Sequence, residues 1–210
     1  MSCPILKADS RGIDEAARII LRGGVIAFPT ETLYGLGADA LNDEAVKEVF
    51  RVKGRREDQP LLLLVAERDE ITTLVRETSP LAERLMAEFW PGPLTLVFQA
   101  APRISPLLTA RTGKIGIRVS SHPVARALAG AVGRPITGTS ANLSGQPGLS
   151  SAPQVSRSLG ESLGAILDGG ETAGGPGSTV LDVSGPSPRL IREGAIGKEK
   201  LSPFLPHFSP

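Results

Sequence analysis

Residues 29–37, PTETLYGLG, place three hydroxyl groups and a carboxylate within five positions, directly after the apolar run 25–28. Polar side chains at the carboxyl end of a strand lie where open α/β sheets bind ligands. The two glycines of the motif let the backbone bend or approach a ligand closely. The motif therefore predicts a small-molecule site, although a tight surface turn with polar residues fits the same spacing.

A second cluster, Lys53-Gly54-Arg55-Arg56, places three cations in four residues. A planar guanidinium and the point charge of a lysine both suit phosphate oxygens. Cations also stabilise the C-terminus of a helix, and Glu57 and Asp58 are close enough to pair with them. The cluster thus indicates either a phosphate site or a capped helix end.

Several further polar residues follow strand-like runs. The segment 139–145, TSANLSG, offers hydroxyls, an amide and backbone N–H groups to a nucleotide, or forms an ordinary Ser/Asn turn. Arg118 interrupts an apolar strand, so it lies on an exposed face or pairs with an anion such as a ligand carboxylate. Ser178, after a glycine-rich stretch, and Arg192, at the end of the last strand, are weaker candidates of the same kind.

The composition excludes several classes of site. The chain of 210 residues has one cysteine, two histidines that are far apart in sequence, and a net charge of +1. These values rule out a disulfide framework or a cysteine-based zinc site and predict no metal ligands from the protein. They also give no overall field for nucleic acid or a membrane, and no apolar run is long enough to span one. We predict a cytoplasmic protein without Walker A or GxGxxG motifs.

Alternating helix and strand patterns must position these residues. Apolar spacing predicts a helix over 13–21, a second one that begins near Asn42 and carries Lys53 at its end, and others that begin at Pro80 and Pro123. Strand-like runs are 25–28, 61–65, 94–98, 115–119, 165–168, 179–183 and 189–192. The alternation predicts a single α/β domain, with 169–177 as a mobile loop.

Taken together, the motifs resemble those of one known family. PTETLYGLG, KGR, WPGPLT, GIRV, TSANLSG, GSTVLD and IREGAI occur in the order found in YrdC-type L-threonylcarbamoyladenylate synthases of the short, single-domain form. The resemblance implies a YrdC-like α/β fold, an open twisted mixed sheet with flanking helices and a concave basic surface. It assigns 10–197 to the YrdC-like domain and leaves 198–210 as a C-terminal tail without a role. The additional C-terminal domain of the long form is expected to be missing.

The resemblance also implies an activity. Proteins of this kind make threonylcarbamoyl-AMP and pyrophosphate from L-threonine, bicarbonate and ATP, and Mg²⁺ is expected to accompany the ATP. The product is expected to pass to a tRNA threonylcarbamoyl transferase complex, which modifies adenosine 37 of ANN-decoding tRNAs.

The family's motifs are carried over to this chain position by position. Its Lys-x-Arg signature falls on Lys53 and Arg55, and its Ser-x-Asn signature falls on Ser140 and Asn142. These four residues and Arg192 are expected to bind ATP. Of these, Lys53 and Arg55 are the expected catalytic residues. The expected threonine contacts are Thr30, Tyr34, Arg118 and Ser178. Arg56 replaces a frequent proline, and neither it nor Glu31 receives a role.

Other functions remain open. The 53–56 patch fits an RNA-binding module without catalysis, or weak tRNA binding by an enzyme, although one Trp and one Tyr give little material for base stacking. A carbamoyl-phosphate enzyme of the hydrogenase-maturation type would need zinc-finger cysteines that this chain lacks. A related enzyme that uses another substrate fits the same residues.

Overall fold

Two open mixed sheets form the framework of the computed structural model, which describes residues 3–205. Within that range the strands are β1 Ile5–Lys7, β2 Ile26–Pro29, β3 Tyr34–Gly37, β4 Leu63–Leu64, β5 Leu94–Gln99, β6 Lys114–Arg118, β7 Ile136–Thr137, β8 Thr139–Ser140, β9 Ala165–Asp168, β10 Thr179–Asp182 and β11 Arg189–Arg192. The α-helices are α1 Ser10–Leu21, α2 Asp43–Lys53, α3 Pro80–Phe89, α4 Pro123–Val132, α5 Ala152–Leu159 and α6 Lys198–Leu201. Short 3-10 helices are Arg68–Thr73, Gly160–Ser162 and Ser202–Phe204.

The first sheet has the order β1-β9-β2-β3-β8, and the second has the order β11-β10-β5-β6-β4-β7. In the first sheet β9 runs parallel to β1 and β2, whereas β3 is antiparallel to both of its neighbours. The second sheet alternates antiparallel and parallel pairs from β11 to β7. The mixed α/β prediction is confirmed, with two open sheets where the sequence indicated one.

The chain passes from one sheet to the other at Gly138, between β7 and β8. The backbone N–H of Gly138 donates to the carbonyl of Leu62 at 3.0 Å. A Cβ atom there would lie 2.6 Å from Cδ1 of Leu62 and 2.7 Å from Cγ of Leu64. Only glycine permits so close an approach of two strands, and the crossing opens a cavity between the sheets.

Local signals in the sequence explain the helix boundaries near the site. The Asn42 side chain accepts from the backbone N–H groups of Glu44 and Ala45, which caps α2. The helix ends at Gly54, whose φ of 57° suits glycine, so Lys53 occupies its last turn as predicted. The Ser79 side chain caps α3 in the same way, and Pro80 takes the first helical position.

The structure differs from the sequence-based prediction in three places. Residues 34–37, expected as part of a loop, form β3 and pair with β2 in a hairpin. The buried run 61–65 has ladder pairing only at Leu63–Leu64, and β1 and α5 were not predicted. Such short elements are stabilised by neighbours far along the chain, which a local pattern does not report.

The predicted mobile loop 169–177 and the predicted tail both contact the body of the protein. The backbone N–H groups of Thr172 and Gly174 donate to the carbonyls of Ser150 and Thr32, at 2.9 Å and 2.8 Å. Phe204 of the tail packs edge-on against Phe89 of α3, with ring centroids 5.4 Å apart. Residues 206–210 of the tail lie outside the described part. No helix within 3–205 combines the length and the apolar character that a membrane crossing needs.

Candidate functional site

A cavity of about 500 Å³ lies between the two sheets. It brings together eight of the nine predicted site residues, all within the described range: Thr30, Tyr34, Arg55, Arg118, Ser140, Asn142, Ser178 and Arg192. These residues come from the β2–β3 turn and the start of β3, the segment after α2, and strands β6, β8, β10 and β11 with their flanking residues. Their convergence from segments more than 150 residues apart is a property of the fold.

The cavity wall is strongly cationic. Among the residues of the described chain, the wall carries one carboxylate, Asp182, and five cations, which are Arg55, Lys114, Arg118, Arg189 and Arg192. Burial lowers the pKa of both Arg55 and Arg192 from the ordinary arginine value, and the charge of Arg192 lowers that of Arg55 further. Such crowding of like charges favours an anionic ligand, since a bound anion would relieve the repulsion.

Arg118 is 4% exposed and forms an ion pair with Glu31, with Nη1 2.8 Å from Oε1. The other oxygen of Glu31 accepts from the hydroxyl of Ser120. The pair joins the β2–β3 turn of the first sheet to the end of β6 in the second sheet. Glu31 therefore orients the Arg118 guanidinium and neutralises part of its charge, a role that the sequence did not suggest.

Ser178 and Arg192 form a second polar group in the wall. The Arg192 guanidinium donates to the Ser178 carbonyl from Nη2 at 2.8 Å and from Nε at 3.2 Å. The Ser178 hydroxyl lies 2.8 Å from that of Thr95 on β5. A Cβ at Gly194 would collide with the backbone carbonyl of Gly177, so glycine lets the segment after β11 press against Ser178.

Lys53 is the predicted site residue that does not line the cavity. It is 2% exposed, and its ammonium donates to the backbone carbonyls of Ser140 and, at 2.9 Å, Asn142. Its own carbonyl accepts from Ser144 N–H at 2.8 Å. Burial lowers the pKa of Lys53 to about 8, and the charge of Arg55 acts in the same direction. Lys53 therefore stabilises the 140–144 segment through its backbone, without lining the cavity itself. Its predicted contact with phosphate stays a prediction.

Arg55, two residues later, does line the cavity. Its Nη2 donates to the carbonyl of Pro60 at 3.0 Å, which fixes the guanidinium at the cavity edge. Arg56 instead pairs with Asp58 at the surface and is absent from the described cavity wall. Gly54, which is in the left-handed conformation, separates both arginines from Lys53 at the end of α2.

The hydroxyls of the opening motif are all hydrogen-bonded within the protein. The Thr30 hydroxyl donates to the Leu33 carbonyl at 2.7 Å and lies 3.2 Å from the Thr32 hydroxyl, which forms a compact turn. The Tyr34 hydroxyl donates to the Gly170 carbonyl at 2.8 Å and so anchors the start of the 169–177 loop. Thr30, Thr32 and Tyr34 all line the cavity, and their predicted contact with threonine stays a prediction.

The environment of Tyr34 leads to a testable pH dependence. Burial raises the pKa of its phenol to about 12, and the nearby Asp168 carboxylate adds to the increase. Since the unfolded value is near 10, the resulting stabilisation is complete below pH 10 and is lost as the pH rises toward 12. Tyr34 is the only tyrosine, so absorbance at 295 nm during a pH titration reports it alone.

We expect no ionisation in the native protein until close to pH 12, and a midpoint near 10 in urea. The Tyr34→Phe variant should show no transition and serves as the blank. A midpoint near 10 with native circular dichroism would contradict the buried phenol.

Three buried polar atoms in the described residues have no hydrogen-bond partner: Nε of Arg55, Nε of Arg118 and Oδ1 of Asn142. All three belong to residues of the cavity wall. An unpaired buried donor or acceptor is unfavourable by about 1–3 kcal/mol, so such groups at one cavity indicate a ligand that pairs them. Two guanidinium donors and one amide acceptor match a ligand that carries several oxygen acceptors and at least one donor.

The protein itself offers little for a metal ion. Within residues 3–205, no three His, Cys, Asp or Glu side chains lie close enough together to hold one. A divalent cation at this cavity would therefore need most of its ligands from the bound substrate. Phosphate oxygens are the usual partners of Mg²⁺ in such an arrangement.

Sequence reasoning missed several residues of the cavity wall, including Thr95, Lys114, Gly116 and Asp182, and it also missed Glu31, the ion-pair partner of Arg118. Strand periodicity could have found some of them. Thr95 and Val97, and likewise Lys114, Gly116 and Arg118, alternate along β5 and β6 and so share one face. Glu31 has no comparable signal, because its partner is 87 residues away.

The fold and site define a class: an α/β protein with a cationic cavity between its two mixed sheets. The family model Sua5/YciO/YrdC, described as telomere recombination, matches residues 18–194. The chain therefore belongs to the Sua5/YciO/YrdC family.

Individual relatives support this assignment. The chain is 41% identical over 201 residues to a threonylcarbamoyl-AMP synthase of Bacillus subtilis, covering 95% of this chain and 58% of that protein. A crystal structure of P. abyssi Sua5 complexed with L-threonine superposes with a TM-score of 0.92 at 37% identity, over 96% of this chain and 60% of that one. E. coli YciO superposes with a TM-score of 0.86 at 29% identity, over 98% and 100%. The chain thus spans little more than half of the first two proteins and all of the third.

Proposed function

We propose that this protein makes L-threonylcarbamoyladenylate and pyrophosphate from L-threonine, bicarbonate and ATP. The observation that carries the proposal is the cationic cavity itself, whose wall includes Arg55, Arg118 and Asn142, three residues that each have a buried polar atom without a hydrogen-bond partner. The name of the B. subtilis relative and the threonine bound to P. abyssi Sua5 support the choice of substrates.

Arg118 is the proposed partner of the threonine carboxylate. Glu31 occupies Nη1, which leaves Nε, unpaired and buried, free to donate to a ligand together with Nη2. This edge of a guanidinium binds a carboxylate through two parallel hydrogen bonds. The Ser178 hydroxyl and the Thr30–Thr32 turn, also in the wall, offer hydroxyls to the polar groups of threonine.

The phosphates of ATP are assigned to Arg55 and Arg192, whose side chains approach each other closely enough for the charge of one to depress the pKa of the other. Ser140 and Asn142 provide hydroxyl and amide groups on the adjacent wall, and Lys53 holds their backbone in place. Mg²⁺ bound to the phosphates would offset their remaining charge, as Asp182 is the one carboxylate among the described residues of the cavity wall.

The reaction needs no nucleophile from the protein. The threonine amine and bicarbonate condense to a carbamate with loss of water, and a carbamate oxygen then attacks the α-phosphorus of ATP. The bond from that phosphorus to the bridging oxygen breaks, and pyrophosphate leaves with the electron pair. Fixed cations and N–H donors hold the reactants in line and offset the developing charge, which is the usual source of rate in phosphoryl chemistry.

The proposal implies a cytoplasmic partner, a transferase complex that moves the threonylcarbamoyl group to tRNA. Its test is incubation of the purified protein with ATP, Mg²⁺ and bicarbonate, with and without L-threonine. We expect pyrophosphate release that depends on threonine, and a product with the mass of threonylcarbamoyl-AMP.

Two controls sharpen this experiment. L-Serine, which lacks the threonine methyl group, tests side-chain recognition, and omission of bicarbonate tests carbamate formation. Pyrophosphate release that is independent of the amino acid would contradict the proposed substrates. A protein that binds tRNA in a salt-dependent manner but releases no pyrophosphate would favour the RNA-binding function instead.

A further inference from the structure

The function proposed above uses no residue of the WPGPLT motif at 90–95, although Thr95 of this motif lies in the cavity wall. Thr95 is the second residue of β5 and is 1% exposed. Its hydroxyl lies 2.8 Å from the hydroxyl of Ser178, which is its one hydrogen-bond partner among the described residues. The motif therefore places a nearly inaccessible hydroxyl against a residue that is proposed to contact threonine.

The neighbouring strands restrict the direction of the Thr95 hydroxyl. β5 lies between β10 and β6 in the second sheet. The hydroxyl contacts Ser178, the residue before β10, whereas the methyl carbon Cγ2 lies 3.2 Å from the position that a Cβ at Gly116 of β6 would take. Because threonine is branched at Cβ, few rotamers are open to it in a strand. The space at Gly116 accepts the methyl group and so keeps the hydroxyl on the side of Ser178.

The backbone holds the two hydroxyls in register. Val180 is the direct partner of Thr95 in the parallel pairing of β10 with β5. One residue earlier, the backbone N–H of Thr179 donates to the carbonyl of Pro93 at 2.9 Å. The contact between Thr95 and Ser178 is therefore fixed by strand pairing, and a change of side chain at Thr95 leaves the path of the backbone at Ser178 in place.

The Ser178 hydroxyl has one hydrogen-bonding position left for a ligand. A serine hydroxyl offers one donor and two acceptor positions. The oxygen accepts from Nη2 of Arg192 at 3.3 Å, and the Thr95 hydroxyl occupies a second position, whichever of the two hydroxyls donates. With two positions occupied by fixed neighbours, the third has a defined direction. Without Thr95, the hydroxyl could rotate about its C–O bond and would present no single direction to a ligand in the cavity.

We propose that Thr95 is a positioning residue, which directs the Ser178 hydroxyl toward the amino-acid substrate. The inference rests on the proposed function, because it takes threonine as the ligand of Ser178. Thr95 acts through Ser178 and does not itself contact the substrate. The position of Arg192 does not depend on Thr95, since Nε and Nη2 of Arg192 donate to the backbone carbonyl of Ser178. Loss of the Thr95 hydroxyl should therefore affect threonine more than ATP.

The test measures initial rates of pyrophosphate release at varied threonine and, separately, at varied ATP. Thr95→Val keeps the shape of the side chain and removes the hydroxyl. We expect it to raise the threonine requirement by about three- to tenfold, the usual effect of one lost hydrogen bond, and the ATP requirement by less than about twofold. Thr95→Ser keeps the hydroxyl and should retain a threonine requirement within about twofold of the wild-type value.

Thr109→Val is the matched control for the loss of a buried threonine hydroxyl. Thr109 is 3% exposed, and its hydroxyl donates to the carbonyl of Pro106 at 3.2 Å. It is absent from the described cavity wall. Both substrate requirements should stay at their wild-type values in this variant.

A double-mutant cycle tests whether Thr95 acts through Ser178. Ser178→Ala removes the hydroxyl that Thr95 orients, so the addition of Thr95→Val to Ser178→Ala should raise the threonine requirement no further. If Thr95→Val does not fold, Thr95→Ala takes its place in the cycle. Thr95→Ala and Thr95→Ser differ only in the hydroxyl, and the threonine requirement should be higher in the alanine variant.

Three results would overturn the positioning role while the proposed function stands. The first is an unchanged threonine requirement in the variants without the Thr95 hydroxyl. The second is a threonine requirement in Thr95→Ser as high as in Thr95→Val, which would assign the effect to the methyl group. The third is additive effects in the double variant, which would mean that Thr95 acts independently of Ser178. Failure of the proposed function has a different signature, because the wild-type protein would then show no threonine-dependent pyrophosphate release.

Discussion

Replacement of Arg118 by alanine is expected to raise the threonine concentration needed for half-maximal pyrophosphate release by about a hundredfold, with a much smaller effect on the ATP requirement. Removing one member of a buried, charge-assisted contact typically weakens binding by about 2–5 kcal/mol, and a hundredfold lies within that range. The effect should fall on threonine because Arg118, whose buried Nε has no hydrogen-bond partner in the protein, is the proposed partner of the threonine carboxylate.

The same substitution leaves Glu31 without its cation, so a loss of stability must be separated from a loss of binding. The double variant Glu31→Gln with Arg118→Ala removes both charges and should recover folding stability but not threonine affinity. Arg126→Ala is the matched control, since Arg126 pairs with Glu67 at the surface and is absent from the described cavity wall. Initial rates measured with varied threonine at saturating ATP give the threonine requirement. Initial rates measured with varied ATP at saturating threonine give the ATP requirement.

The single variant Glu31→Gln tests whether the Glu31 charge orients Arg118 for threonine binding. It keeps the size of the side chain but removes the charge that orients Arg118, so it should also raise the threonine requirement, by less than Arg118→Ala does. Equal increases in the requirements for ATP and threonine in the Arg118 variants would argue against a carboxylate contact.

The second large effect concerns Lys53 and Arg55, which are two residues apart in the sequence. Alanine variants at the two positions are predicted to lose activity for different reasons. Both Lys53→Ala and Arg55→Ala are expected to abolish measurable pyrophosphate release. Lys53→Ala should also lower the free energy of unfolding by about 2–4 kcal/mol, because it removes the ammonium donor from the buried Asn142 carbonyl, removes one of two donors from the Ser140 carbonyl, and opens a void beside the 140–144 segment. Arg55→Ala should change that free energy by no more than about 1 kcal/mol, since its guanidinium makes one hydrogen bond to a partly exposed carbonyl.

Denaturant unfolding followed by circular dichroism, measured beside pyrophosphate release, separates the two cases. Lys53→Met provides the matched comparison, because it fills most of the void and removes only the ammonium. It should be more stable than Lys53→Ala yet remain inactive. Wild-type stability in Lys53→Ala, combined with a loss of ATP affinity alone, would instead support the direct phosphate contact that the motif suggested.

Local signals were sufficient for the parts of the fold that are stabilised locally. The Asn42 cap and the Gly54 terminus define α2, and Ser79 and Pro80 define the start of α3, so these boundaries were predicted correctly. Strand β3 was not, because its four residues include two glycines and depend on pairing with β2 and β8. The division into two sheets depends on Gly138, which the sequence alone presents as an ordinary turn glycine.

The features of the candidate site also divide into those that the sequence showed and those that depend on the tertiary structure. The types of residue needed to bind an anion, and the order of the motifs that carry them, could be recognised in the sequence. The pairing of Arg118 with Glu31 could not, because the two side chains come from different sheets.

By itself, the sequence determined which chemistry is available: cations, hydroxyls and an amide, with one cysteine, widely separated histidines and almost no net charge. It also determined the family, through motifs spread along nearly the whole chain. Only the tertiary structure decided which of these groups line the cavity. Lys53 and Arg55 belong to one motif, yet the packing of the 140–144 segment buries the first ammonium and leaves the second cation in the cavity wall. That outcome depends on contacts across nearly ninety residues, which the local sequence around a helix end does not encode.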